Sequence, residues 1–192
     1  MSEPRPGVFL DRDGTINVDT GYVAKPEDVV LLEGAAAAIA RLNAARVPVV
    51  VITNQSGIGR GYYTEAEFAA VERRVAELLA TKRAHVDATY FCPHAPDAGC
   101  ECRKPGTLLH RKAAADLSLD LARSWHIGDR LRDLEPSVAL GGRGVLVPRA
   151  TTPNADVIAA GDRFSVATTL DAAVTRVIDS LGSPLPDRRN DD

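Results

Sequence analysis

Long apolar runs are missing from this chain. The longest, such as Val47 to Ile52 and Ala35 to Ala40, fall far short of the ~20 residues that cross a bilayer, so no membrane span is expected. The start, Met1 to Gly7, carries Pro4 and Pro6 and lacks the basic segment and apolar stretch of a secretory signal, which predicts a cytoplasmic protein. Excess positive charge is missing too. A net charge of −3 argues against nucleic-acid binding through a broad basic face, yet leaves room for a local basic pocket that holds a small anion. Cysteine is scarce and odd in number: Cys92, Cys100 and Cys102 stand close together in a chain without an export signal, so a metal site is expected before a disulfide.

What is present suffices for one core. With 192 residues and 45% hydrophobic content, a single domain over 1–181 is expected, followed by a disordered tail over 182–192 that is polar and carries two prolines. No internal repeat and no obvious interface are visible, and a monomer is the default.

Short apolar runs alternate with helix-like segments. Gly7 to Leu10, Val47 to Ile52, Val86 to Phe91, Ser124 to Ile127 and Gly144 to Val147 read as strands. Gly34 to Arg46, Leu108 to Leu117, Asp133 to Leu140 and Leu170 to Leu181 read as helices, and Thr64 to Ala80 opens with Thr64 and Glu67 at capping-box spacing. Such alternation predicts a three-layer α/β sandwich around a mostly parallel, Rossmann-like sheet, with ligands at the carboxyl ends of the strands.

The first strand ends in Asp11-Arg12-Asp13-Gly14-Thr15. Two carboxylates two residues apart can divide nucleophilic and acid/base work, although Asp and Gly also serve simply as turn formers. The second strand ends in Thr53-Asn54-Gln55-Ser56-Gly57, a hydroxyl and amide cluster able to cradle phosphate oxygens, or an ordinary polar loop. Lys104 precedes Pro105, which favours an extended lysine backbone and a fixed ammonium. The strand at Trp125 ends in Gly128-Asp129-Arg130, with Asp133 one turn on, a carboxylate placed for a magnesium ion.

Taken in order, Asp11/Asp13, Thr53, Lys104 and Asp129 resemble the four motifs of the haloacid dehalogenase (HAD) superfamily of phosphohydrolases. The resemblance implies that Asp11 is the nucleophile, Asp13 the general acid/base, and Thr53 and Lys104 the phosphate-stabilising groups. It also implies that Mg²⁺ is held by Asp11, Asp129 and the backbone carbonyl of Asp13. A non-enzymatic phosphate-binding module of the same fold is the alternative, against which the intact motif set argues.

Cys92-Pro93-His94 and Cys100-Glu101-Cys102 supply four N/S ligands of the kind that structural zinc prefers, closing a short loop over 92–102. No large cap domain accompanies it. Together with Asp11 to Val23 (DRDGTINVDTGYV) and Thr53 to Gly61 (TNQSGIGRG), this loop resembles the heptose 1,7-bisphosphate 7-phosphatases. That resemblance covers most of residues 8–150 and implies a small sugar-phosphate substrate bordered by Asp19, Thr20, Gly21, Tyr22, Thr53, Asn54, Gln55, Ser56, Arg103, Lys104 and Arg130. Arg130 stands where that family usually has lysine. The five-residue spacing inside the zinc loop is instead similar to histidinol-phosphate phosphatases, the alternative substrate class. Arg60, Arg103 and Arg130 favour a bisphosphate.

Overall fold

The computed structural model describes residues 3–182; of the tail expected over 182–192, Gly182 instead ends the last helix and the rest lies outside the described residues. Strands β1 (Val8–Leu10), β2 (Val49–Asn54), β3 (Ala88–Cys92), β4 (Trp125–Gly128), β5 (Arg143–Leu146) and β6 (Ser165–Val166) form one sheet in the order β3-β2-β1-β4-β5-β6. All five pairings are parallel. A parallel sheet needs a crossover between neighbours, and helices α1 (Ala35–Ala44), α2 (Ser56–Gly59), α3 (Glu65–Ala80), α4 (Leu108–Leu117), α5 (Leu131–Leu140) and α6 (Asn154–Arg163) supply it, while α7 (Leu170–Gly182) follows the last strand.

Alternation along the strands sorts side chains into two layers. Val8, Leu10, Val49 and Val51 face α1, α3 and α7 through Ile39, Leu42, Val71, Val75 and Val174. Phe9, Val50 and Ile52 face the opposite way, onto Leu109 and Ala113 of α4. Burial on both faces is why these strands read as continuous apolar runs rather than as alternating ones.

Local differences from the expected boundaries have physical causes. β3 starts at Ala88, two residues later than expected, because the Asp87 carboxylate rather than a backbone carbonyl accepts from Val49 N–H, at 2.7 Å. α5 starts at Leu131 because Asp133 turns back to accept from Arg130 N–H at 3.0 Å, making Asp133 part of the first turn rather than its start. The Thr64/Glu67 capping box forms as expected, with Thr64 N–H 2.7 Å from Glu67 Oε2 and Glu67 N–H 3.2 Å from Thr64 Oγ1. Among the described residues no helix is long and apolar enough to cross a membrane.

Candidate active site

Strand order reverses between β1 and β4, which both pair only with neighbours running the same way, and the gap beyond their carboxyl ends is where such sheets bind ligands. Asp11 follows β1 there and Asp129 follows β4. Gly14 has φ of +89°, and a side chain on it would meet Asp129 Oδ2 at 2.7 Å, so the turn after Asp13 can press against Asp129 only as glycine. Arg149 Nε donates to the Gly14 carbonyl at 3.0 Å and holds the turn in place.

Lys104 arrives from the loop after β3. Its ammonium lies 2.5 Å from Asp11 Oδ1, 2.6 Å from the Ile52 carbonyl and 2.8 Å from Asp133 Oδ1, which engages all three N–H groups. Asn54 fixes the Lys104 backbone from both sides, accepting from its N–H at 3.0 Å and donating to its carbonyl at 3.3 Å. Burial disfavours the ammonium, but Asp11 and Asp133 outweigh that and raise its pKa.

The carboxylates carry the opposite strain. Burial pushes the Asp11 pKa up to about 7; Lys104 opposes this, while Asp133 and Asp13 add to it. Asp129 is raised to about 6, first by burial and then by Asp133. Its Oδ2 is buried without a hydrogen-bond partner: Arg130 Nε lies 3.3 Å away but forms no hydrogen bond to it. Oxygens of Asp11, Asp129 and Asp133 lie within 4.8 Å of one another, an all-oxygen donor set with an orphaned acceptor, which fits a hard divalent cation. Asp133 joins this group through its side chain, whereas the Asp13 carboxylate points elsewhere.

Asp13 is gripped by donors: Arg12 Nε and Nη2, Asn17 Nδ2 and Gln55 Nε2 all lie 2.8 to 3.0 Å from its oxygens. Gln55 also donates to Thr53 Oγ1 at 2.7 Å and accepts from Tyr63 at 2.6 Å, so its amide links the second strand to the loop that follows Asp11. Burial of that tyrosine pushes its pKa up to about 12.

A cavity of about 250 Å³ opens above, bordered by Asp11, Asp13, Asp19, Gly21, Tyr22, Thr53, Asn54, Gln55, Ser56, Tyr63, Arg103, Lys104 and Arg132. Of the substrate-contacting residues expected from the sequence, Thr20 and Arg130 do not border it. Arg130, the extended residue that precedes α5, lies against Asp129, and Arg132 takes the place expected for it. Tyr63, Arg132, Arg12 and Arg149 were not singled out in the sequence as site residues. Asp19 accepts from Gly21 N–H at 2.8 Å, and the exposed Tyr22 ring packs edge-on against Tyr62.

Beside this cavity the Cys-His loop gathers its four donors. Cys92 Sγ lies 3.0 Å from Cys102 Sγ and 3.5 Å from Cys100 Sγ, and His94 Nδ1 lies 3.1 Å from Cys102 Sγ. These exceed the ~2.05 Å of a disulfide and approach the roughly 3.8 Å edge of a tetrahedron with ~2.3 Å metal–sulfur bonds, so the donor set fits zinc. α2 packs on the loop through Gly59, whose N–H donates to the Pro93 carbonyl at 2.7 Å; a side chain there would meet backbone atoms at 2.6 to 3.1 Å.

Comparison with known proteins agrees with this geometry. The HAD-hydrolase-like family matches residues 101–181. D-glycero-beta-D-manno-heptose-1,7-bisphosphate 7-phosphatase of Yersinia pestis is 37% identical over 170 residues, covering 84% of this chain and 90% of that protein. Its namesake from Pseudomonas putida is 43% identical over 141 residues, covering 73% and 81%. The chain belongs to the heptose-bisphosphate phosphatase family of HAD-like hydrolases. A solved structure of D,D-heptose 1,7-bisphosphate phosphatase from B. bronchiseptica, complexed with magnesium and phosphate, superposes with a TM-score of 0.82 at 36% identity, covering 91% of this chain and 99% of that one. Membership in this family accounts for the sheet order, the carboxylate cluster and the small fold around them.

Proposed function

We propose that the chain is a magnesium-dependent phosphatase that removes the 7-phosphate of D-glycero-β-D-manno-heptose 1,7-bisphosphate through an aspartyl-phosphate on Asp11. The observation that carries this reading is the contact of Asp11 with Lys104 at 2.5 Å, next to the unpartnered Asp129 Oδ2. Lys104 orients one Asp11 oxygen and leaves the other for phosphorus. The names of the relatives and the phosphate in the related structure support the substrate and the β anomer.

In the first step an Asp11 oxygen bonds to phosphorus while the bond from phosphorus to the sugar oxygen breaks, and Asp13 delivers a proton to that leaving oxygen. In the second, Asp13 takes a proton from water, the water oxygen bonds to phosphorus, and Asp11 leaves as a carboxylate with release of inorganic phosphate. Thr53 and Lys104 offer a hydroxyl and an ammonium to the phosphoryl oxygens. Mg²⁺ held by Asp11, Asp129 and the Asp13 carbonyl would supply charge compensation between an anionic nucleophile and a phosphate dianion. Zinc held by Cys92, His94, Cys100 and Cys102 would be a closed, structural site that fixes the approach of Arg103 and Lys104. The same reading makes the chain a monomeric cytoplasmic enzyme that needs neither nucleic acid nor membrane.

The test is turnover of both anomers of the heptose bisphosphate beside histidinol phosphate and fructose 1,6-bisphosphate, in magnesium and then in chelator. A large advantage for the β anomer, abolished by chelator, is expected. Dominance of histidinol phosphate refutes the substrate, and inactivity on all four refutes the enzyme.

A further inference from the structure

One side chain at the edge of the cavity directs its polar group at another side chain. Tyr63 precedes Thr64, the residue that caps α3, and is 5% exposed. Its ring lies on Gly57, where a side chain would come within 2.1 Å of Tyr63 Cε1, so the ring is wedged against α2. Burial pushes its pKa up to about 12, and the hydroxyl, which therefore keeps its proton, donates to Gln55 Oε1 at 2.6 Å.

The Gln55 amide is held at both ends. Nε2 donates to Asp13 Oδ2 at 2.9 Å and to Thr53 Oγ1 at 2.7 Å, while Oε1 accepts from Tyr63 and, at 3.4 Å, from Arg12 Nη2. With Nε2 on Thr53 Oγ1, the Thr53 hydroxyl proton is left for a phosphoryl oxygen. A turned amide would set its carbonyl against Asp13 and Thr53 instead. An Asp13 carboxylate, which only accepts, opposes that turn by itself. An Asp13 that carries the proton bound for the leaving oxygen does not, because its O–H can donate to the turned carbonyl and be held there. Tyr63 keeps that carbonyl occupied at the other end of the amide.

We propose that Tyr63 is a positioning residue for the general acid/base: by fixing which end of the Gln55 amide meets Asp13, it keeps the Asp13 proton available to the leaving oxygen. The proposal rests on the phosphatase reading above. Tyr63 acts through Gln55 and not on the substrate, so its effect falls on the rate of bond breaking and not on binding, and it needs Gln55 to be present.

Tyr63→Phe keeps the ring and removes the donor. The first turnover at saturating heptose bisphosphate, which times aspartyl-phosphate formation, is expected to slow about tenfold, with the half-saturating concentration within about twofold of wild type. p-Nitrophenyl phosphate releases a phenolate that needs no proton, so its first turnover should slow by less than about threefold. In a Gln55→Leu background, Tyr63→Phe should slow neither substrate further. A first-turnover rate on the heptose bisphosphate within about twofold of wild type, equal losses on both substrates, a change confined to the half-saturating concentration, or losses that multiply in the double variant each overturn the assignment. Wild type that turns over neither ester refutes the phosphatase reading, and the role of Tyr63 with it.

Discussion

Arg12 holds the carboxylate of its own chain neighbour: Nε and Nη2 of Arg12 lie 2.8 to 3.0 Å from the oxygens of Asp13. The guanidinium is 1% exposed, its Nη1 reaches Glu72 on α3 at 2.8 Å, and it sits over the Phe68 ring. Asp13 and Glu72 outweigh the effect of burial and raise the Arg12 pKa, so the cation is a fixed charge under the site.

Arg12→Met should therefore leave two carboxylates without their shared cation. Removing one partner of a buried pair destabilises by about 3–5 kcal/mol, which urea unfolding would read as a lower midpoint. Turnover should fall as well, measured well below the new midpoint, because the Asp13 carboxylate loses the Arg12 donors and keeps only those of Asn17 and Gln55. A loss of stability under about 1 kcal/mol with normal turnover would show that Asn17 and Gln55 suffice to hold Asp13.

Asp11→Asn keeps the shape of the Asp11 side chain and removes its charge. Turnover should drop by several orders of magnitude while the circular dichroism spectrum stays native. Rapid acid quench of the wild type with labelled substrate should trap phosphate on protein, and the variant should trap none. Equal turnover by the variant would rule out a covalent route through Asp11.

The residues at the strand ends were legible because two signals coincide there. A short apolar run marks each of these strands, and the first polar residue after it must face the ligand edge of a parallel sheet. Asp11, Thr53 and Asp129 were readable in this way, and the four donors of the Cys-His loop by their spacing. The network around them was not readable. Arg12 pairs with Glu72 60 residues away, and Arg149 reaches Gly14 across 135, separations over which periodicity says nothing. Asn54 and Gln55 looked like substrate contacts, but they also fix the Lys104 backbone and the Asp13 carboxylate. α6 and β6 escaped because α6 buries only Ala160 and β6 is two residues long, too little apolar surface to leave a pattern. The Gly-Asp-Arg motif points to Arg130, and nothing in the sequence singles out Arg132; the turn into α5 sets which of the two borders the cavity.

Purified protein should contain about one zinc per chain by elemental analysis. Stripping it with a strong chelator and adding back magnesium alone should leave the amides of 92–104 exchanging faster and the enzyme slower, since Arg103 and Lys104 follow Cys102 directly. Cobalt or zinc should restore both. A protein purified without zinc and fully active would remove the structural role of the loop.

Acid stability should be set in part by two histidines that the chemistry does not use. His110 and His126 stack with ring centroids 4.9 Å apart, each against Phe9, and both are almost wholly buried. Neither ring nitrogen of His126 has a partner among the described residues, so a charged imidazole would be unsolvated there. Burial lowers the His126 pKa to about 3, with Lys104 adding to the effect; His110 is lowered by burial, then by His126 and Lys104. Because the unfolded chain takes up these protons near pH ~6.5 and the folded chain does not, the native state is favoured above that pH and loses the advantage as pH falls toward 3. The slope approaches about 1.4 kcal/mol per pH unit for each histidine once the unfolded form is charged. Asp11 and Asp129, whose pKa values are raised, bias stability in the opposite direction, so the wild type must be compared with His126→Leu, which keeps both carboxylates. Urea unfolding between pH 7 and 4 should show the wild type losing stability faster than the variant; parallel curves would mean that His126 is charged in the folded protein or that the unfolded chain shields it equally.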